Sequence, residues 1–333
     1  MSSTLFTDSS SGVVVAFGEV LVRLSSGHRR LRDANYLQID VGGSELNVLT
    51  ALSQLGHPGR WVTAVAGDEL GQRVIEHASK FGVDVRATTV RHARTPLYFA
   101  ELGSPPRPTS ITYDRGGSAF TVESAVTCDW RTQLADARWF HSSGITLALS
   151  PHACAATTAA YETARCAAIP TSFDLNHRDQ LWSWSEALPH YQQVLSTTQL
   201  LFASTPDLQK LTRTTKEDYD LMDTARRQFG LRGIVLRTTE PTSGGTVTVH
   251  TSVGIDGAYA TSNRYVAVPV DPVGSGDAAT AAVLAAGLAG EELAVIAERA
   301  SWACADKLTM PGDTWWTASF TGAPSASSRL VVR

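Results

Sequence analysis

The sequence predicts an α/β fold of three layers, a mostly parallel central sheet between helices, with a small β-sheet standing apart as a lid. Two observations carry this. Short apolar, β-branched runs alternate with helical-period segments of ten or more residues, the pattern of βαβ units. Two stretches, about 23–40 and 97–115, break that rhythm and are polar, alternating and turn-rich, as a separate lid would be. No internal repeat or linker divides the chain, so 13–320 reads as one domain preceded by a flexible tail, 1–12.

The elements follow in order. Residues 13–17 form a β-branched strand that stops at Gly18. Leu46, Leu49, Leu52 and Leu55 recur at helical spacing, and that helix stops at Gly56. A strand at 61–65 precedes a helix at 70–81 closed by Gly82. Strands at 97–101 and 111–113 flank a Pro-rich turn, 105–108. Core strands are expected at 139–142, 171–174, 200–203 and 233–236, with helices at 151–167 and 221–229. Residues 246–250 and 265–268 add β-structure, and helices at 278–288 and 293–305 close the pattern.

Composition narrows the function. The 333 residues are 43% hydrophobic and 18% charged, ordinary for a soluble globular protein. A net charge of −4 leaves no basic footprint for nucleic acid. The cysteines, Cys128, Cys154, Cys166 and Cys304, form no Cys-x-x-Cys pair, so reduced thiols in a cytoplasm are expected rather than zinc or disulfides. The longest apolar stretch, 278–290, is too short to span a bilayer, so no membrane partner is expected. The tail is rich in Ser and Thr and lacks the basic flank of a signal peptide.

Chemistry concentrates in Asp271-Pro-Val-Gly274-Ser275-Gly276-Asp277, followed by an alanine-rich helix. Glycines let backbone N–H groups turn inward, and a helix N-terminus adds unpaired donors and partial positive charge, so Gly274 to Gly276 read as an anion hole. Asp277 at its mouth reads as a base that deprotonates a hydroxyl nucleophile while the hole holds a phosphate. The plainer alternative is a loop with an Asp N-cap. Gly42-Gly43-Ser44-Glu45-Leu46-Asn47 opens the first long helix. Its glycines permit close approach of a ligand and Asn47 faces back, or else Ser44 merely caps the helix. Asp174, Asn176 and Arg178 share one side of an extended chain, and Arg178 suits a carboxylate or phosphate. Tyr113 and Arg115 share a face of the lid near Tyr98, suited to a polar ligand or to a dimer contact. The histidines show no metal spacing.

These residues resemble a family. The 42–47 run, then Leu55-Gly56, the 65–71 segment Val-Ala-Gly-Asp-Glu-Leu-Gly and Phe81-Gly82-Val83-Asp84, with the 271–277 run, are similar in order and spacing to the two signatures of ribokinase-type (PfkB) carbohydrate kinases. The resemblance runs from about Val13 to Asp313. Gly18-Glu19 with Arg23, Tyr98-Phe99, Tyr113-Asp114-Arg115 and the 174–178 run lean towards the 2-keto-3-deoxygluconate kinases. The resemblance implies a ribokinase-like three-layer α/β/α fold, ATP, Mg²⁺, room for a monovalent cation, and a sugar acid phosphorylated on its terminal hydroxyl. It implies that Asp277, Gly274, Ser275, Gly276 and Arg178 serve transfer. Gly42, Gly43, Asn47, Tyr98, Tyr113, Arg115 and Asp313 would hold the acceptor. Asn176, Arg178, Arg237, Thr238, Gly274 and Gly276 would hold the nucleotide. A homo-oligomer through the lid is the expected assembly.

Three departures stand out. The family's Asn-x-x-Glu metal motif reads Ser204-Thr205-Pro206-Asp207, leaving Asp207 to act on the metal through water. Ala279 replaces the usual Phe after Gly-Asp-Ala. The nucleotide turn after Leu236 lacks its glycines, which fall downstream at Gly244-Gly245. Two rival readings remain: a kinase for a neutral sugar or nucleoside, against which Arg115 and Arg178 speak, and a catalytically weak sugar-binding regulatory protein.

Overall fold

Along Leu200–Ser204, alternate side chains enter two different cores: Leu200 and Phe202 one, Leu201 and Ala203 the other. Val13–Phe17 alternates in the same way. Both runs are continuously apolar because helices cover both sheet faces. The structure, a computed structural model, describes residues 5–6, 11–103 and 107–317; residues 104–106 of the predicted lid turn and 318–320 of the predicted domain lie outside these.

In chain order the strands are β1 Val13–Phe17, β2 Leu21–Ser25, β3 Gln38–Gly42, β4 Gly59–Ala66, β5 Asp84–Val90, β6 Leu97–Glu101, β7 Ser110–Asp114, β8 Ala137–Ser143, β9 Thr171–Asp174, β10 Leu200–Ser204, β11 Gly233–Pro241, β12 Val247–Ile255, β13 Ala258–Thr261 and β14 Tyr265–Ala267. The large sheet runs β13-β12-β11-β10-β9-β8-β1-β4-β5, with β14 also on β12. Pairings from β11 to β5 are parallel, and β12 to β14 add antiparallel strands. The helices Ser44–Gln54, Ser275–Leu288 and Leu293–Leu308 pack on one face, and Pro151–Cys166, Trp184–Leu195 and Asp218–Phe229 on the other. The fold is the ribokinase-like α/β arrangement that the sequence predicts.

The lid is the separate sheet β3-β2-β6-β7, built from the two polar segments. Arg23 of β2 ties it to the body. Its guanidinium is buried and pairs with Asp271 at 2.5 Å and Asp313 at 2.8 Å. The Tyr98 hydroxyl of β6 also donates to Asp313. The tail corrects one expectation: Leu5 and Phe6 are core residues, not frayed ones. Both are buried, and Phe6 stacks on Trp139 with ring centroids 5.1 Å apart.

Candidate active site

The carboxyl ends of parallel strands are where such sheets bind ligands. Gly18 follows β1, Asp174 ends β9, and Arg237 lies at the midpoint of β11. Around them the loop 271–277 and the lid enclose a cleft of about 720 Å³. Every residue singled out for the site lines this cleft. Gly42, Gly43, Asn47, Tyr98, Tyr113, Arg115 and Asp313 lie toward the lid, and Asn176, Arg178, Asp207, Arg237 and Thr238 lie under the sheet edge. The Gly274–Asp277 turn joins the two groups. A second cavity, about 540 Å³, adjoins it beside Tyr113, Arg115 and Arg178.

Asp277 is not an N-cap. Gly274 holds that position, in a left-handed conformation at φ 83°, and Asp277 is the third residue of the helix Ser275–Leu288. The Ser44 hydroxyl donates to one Asp277 oxygen at 2.7 Å, and the Asn47 amide to the other at 2.7 Å. Ser44 does not cap its own helix either: Gly43 is its N-cap, and Ser44 accepts from the Asn176 amide at 3.1 Å. The chain Asn176–Ser44–Asp277 therefore fixes the carboxylate from two helices and a loop. Burial pushes the Asp277 carboxyl above the usual range, against the two hydrogen bonds from Asn47 and Ser44 that favour its ionised form. A carboxyl raised in this way is a stronger base than an exposed one.

This arrangement carries a pH prediction. Only ionised Asp277 can accept a proton, so activity falls as pH drops through its pKa. Asn47→Ala removes a bond that lowers that pKa, so the acidic limb of the kcat/KM profile should move to higher pH. Glu45 is the control. It is buried beside this site, accepts from Ser143 and Thr146, and burial pushes it up to about 7. A limb that stays put in Asn47→Ala but moves in Glu45→Gln would assign the titration to Glu45.

The anion-hole turn is held from below. A side chain at Gly274 would strike the Asp313 carbonyl, which with the positive φ leaves only glycine there. The Ser275 hydroxyl turns back to the Pro272 carbonyl, 2.8 Å. Arg237 donates to the Gly276 carbonyl at 3.0 Å and to both oxygens of Asp174 at 2.9 and 3.1 Å. The extended 174–178 segment expected from sequence does not form. β9 ends at the buried Asp174, and Asn176 is left-handed at φ 34°. Asp174 thus anchors Arg237, and Arg178 is exposed at the junction of the two cavities.

At the lid end, Gly42 is required by close packing, since a side chain there would strike the Asp313 carboxylate. Tyr98 and Tyr113 pair across β6 and β7, and Arg115 lies 4.5 Å over the Tyr113 ring. The Arg115 guanidinium is mostly buried, yet its Nε and Nη1 have no hydrogen-bond acceptor. The nearest carboxylate oxygen, Glu19 Oε2, is 3.7 Å away and is itself unpartnered. At the opposite end Ser204 caps the helix Thr205–Thr212 and donates to Asp207 Oδ2 at 2.8 Å.

Comparison with known proteins identifies the fold's owners. The family model described as pfkB family carbohydrate kinase matches residues 13–314. The chain belongs to this family. A curated relative, the 2-dehydro-3-deoxygalactonokinase of Haloferax volcanii, is 31% identical over 90% of this chain and 92% of its own length. The solved 2-dehydro-3-deoxygluconokinase of Thermotoga maritima superposes with a TM-score of 0.87 and 30% identity, covering 93% of this chain and 96% of that one. A protein described as a ribokinase II from E. coli, solved with ATP and Mg²⁺, shares the fold at a TM-score of 0.77 and 19% identity, covering 93% and 96%.

As a PfkB carbohydrate kinase the protein is an ATP-dependent sugar kinase, and its family uses Mg²⁺. The donor set fits that ion: Mg²⁺ takes one or two carboxylates plus substrate phosphates. Asp174 and Glu240 are committed to arginines, whereas Asp207 faces the same cleft with a hydrogen bond from Ser204 and with His177 and Lys210 in electrostatic reach. Sequence reading missed Ser44 as a partner of the base, Glu45, and the Asp174–Arg237 and Arg23–Asp271 pairs. The Ser44 position inside the Gly-Gly-Ser-Glu-Leu-Asn run was the one available signal.

Proposed function

We propose that the protein phosphorylates a sugar acid, 2-keto-3-deoxygluconate, on its terminal hydroxyl. The observation that carries this reading is the Arg115 guanidinium, mostly buried at the lid end, whose Nε and Nη1 find no hydrogen-bond acceptor, Glu19 standing 3.7 Å off. A buried donor without an acceptor is costly, and an anionic acceptor group supplies the partner. The sugar-acid names of both the Haloferax volcanii and the Thermotoga maritima relatives support it.

The chain's residues then act as follows. The acceptor carboxylate sits toward Arg115, with Tyr98 and Tyr113 along its chain, and its terminal hydroxyl reaches Asp277. Asp277 takes the hydroxyl proton as the oxygen bonds to the terminal phosphorus of ATP and the bond to the bridging oxygen breaks, releasing ADP. The Gly274–Gly276 amides meet the charge that develops on the phosphoryl oxygens, and the lid excludes water. Arg178, at the mouth, is placed to follow the moving phosphate. Asp207 would hold Mg²⁺ through water, where the ion would supply positive charge to the phosphates, and Asn176, Arg237 and Thr238 border the nucleotide space. Exposed Tyr36 and Ile39 support pairing of two copies through the lid. No helix among the described residues is long and apolar enough to cross a membrane, and we place the reaction in the cytoplasm.

Product analysis tests the acceptor. With ATP and Mg²⁺, mass spectrometry and ³¹P NMR should show 2-keto-3-deoxygluconate carrying one phosphate on its terminal carbon. Phosphate elsewhere, or none, would overturn the assignment. The metal segment makes its own prediction. Ser204→Asn with Asp207→Glu should lower the Mg²⁺ concentration for half-maximal rate, because the longer carboxylate reaches a metal-bound water that Asp207 meets less well. An unchanged Mg²⁺ requirement would place the segment outside the metal site.

A further inference from the structure

The helix Leu293–Leu308 carries a lysine with no exposure at all: Lys307 is 0% accessible, and no other lysine among the described residues is buried. An ammonium removed from water needs compensation. Its Nζ donates to the Met310 carbonyl at 3.1 Å. Its Cε lies 3.3 Å from where a Gly274 side chain would begin, so the stem lies against the anion-hole turn. Asp271 and Asp313 lie within electrostatic reach, though neither makes a direct ion pair with it. These two buried carboxylates bracket the turn: Asp271 opens its loop, and the Asp313 carbonyl lies against Gly274. Arg23 is the other cation facing them.

A monovalent metal cation would need a shell of oxygen ligands here, and three of the four carboxylate oxygens of Asp271 and Asp313 already accept hydrogen bonds. One Asp271 oxygen accepts from the Val273 amide at 3.1 Å, and the other from Arg23 at 2.5 Å and the Gly312 amide at 2.9 Å. Asp313 Oδ1 accepts from Arg23 at 2.8 Å and from Tyr98. The Met310 carbonyl accepts from Lys307. The residues present do not fit such a cation.

We propose that the Lys307 ammonium is a resident cation of the anion-hole turn, supplying the positive charge for which a monovalent metal would otherwise be required, so that this kinase works without K⁺. Lys307 is a positioning residue. It touches no reacting atom, and it balances the two carboxylates beneath Gly274 so that the turn receives a phosphate rather than repelling it. The proposal rests on the kinase reading, but its first test does not need turnover.

That test compares thermal midpoints of the ligand-free protein in potassium and choline chloride at equal ionic strength. Wild type should show the same midpoint in both. Lys307→Met should have a lower midpoint in choline and recover part of it in potassium, as the ion enters the vacated space. ADP release with the sugar acid should follow the same pattern: wild type indifferent to K⁺, and Lys307→Met reduced on the order of ten- to a hundredfold in choline and partly rescued by K⁺. A wild-type protein stabilised or activated several-fold by K⁺ over choline would overturn the proposal. So would a folded Lys307→Met variant as indifferent to K⁺ as wild type. The wild-type comparison decides the matter alone if the variant does not fold. An absence of ADP release with unchanged midpoints would count against the kinase reading and not against Lys307.

Discussion

Asp277→Asn should lose on the order of 10²–10⁴-fold in turnover while keeping its fold. The substitution barely changes volume. The carboxamide oxygen can still accept from Asn47, as the carboxylate does at 2.7 Å, and the Ser44 hydroxyl can rotate to meet the new amide. What disappears is the ability to take a proton. The loss should fall on kcat, because the acceptor is still held by the lid while the step needing a base is slowed. Sugar-acid binding measured by calorimetry, and the thermal midpoint, should stay close to wild type. Turnover within a few-fold of wild type would remove Asp277 from the role of base.

Arg115→Ala should raise the KM for a sugar acid by about ten- to 150-fold, the worth of a hydrogen bond to a charged group, roughly 1.5–3 kcal/mol. For a neutral sugar of equal length the change should be small. Glu19 makes the comparison necessary. Burial pushes its carboxyl upward, while Arg115 and the Ser118 hydroxyl hold it down, so the variant also disturbs the lid. Disturbed packing would weaken both substrates alike, whereas a lost carboxylate partner weakens only the acid. Equal effects would favour a neutral-sugar kinase.

The parallel core was readable from sequence because buried strands leave uninterrupted apolar runs. The elements missed obey other rules. Asp84–Val90 is an edge strand of polar alternation, paired on β4 alone. Trp184–Leu195 carries Pro189 within it, which argues against a helix locally, yet a complete capping box at Ser183 and Glu186 starts it. Thr205–Thr212 is short and has Pro206 in its first turn. Leu5 and Phe6 were lost in a polar tail, and their place comes from the folded core, where Phe6 stacks on Trp139 and lies against Gly287.

At the site, the glycines and Asp277 were legible because their chemistry is local. The pairs were not, because they join residues far apart in the chain. Asn47 reads as a substrate ligand, but its amide is committed to Asp277, 230 positions away. Arg237 reads as a nucleotide contact and lines the cleft, and its bonds to Asp174 and to the Gly276 carbonyl were not legible. Tyr98 reads as a contact with the acceptor and lines the cleft, and the bond from its hydroxyl to Asp313 was not legible.

The measurement that bears most directly on the account is the ratio of kcat/KM for 2-keto-3-deoxygluconate to that for a neutral sugar of the same length, read as ADP release with ATP and Mg²⁺ in wild type and Arg115→Ala. The account predicts a large ratio in wild type that collapses in the variant, driven by KM for the acid. A ratio near unity in wild type, or one that survives removal of Arg115, would contradict it.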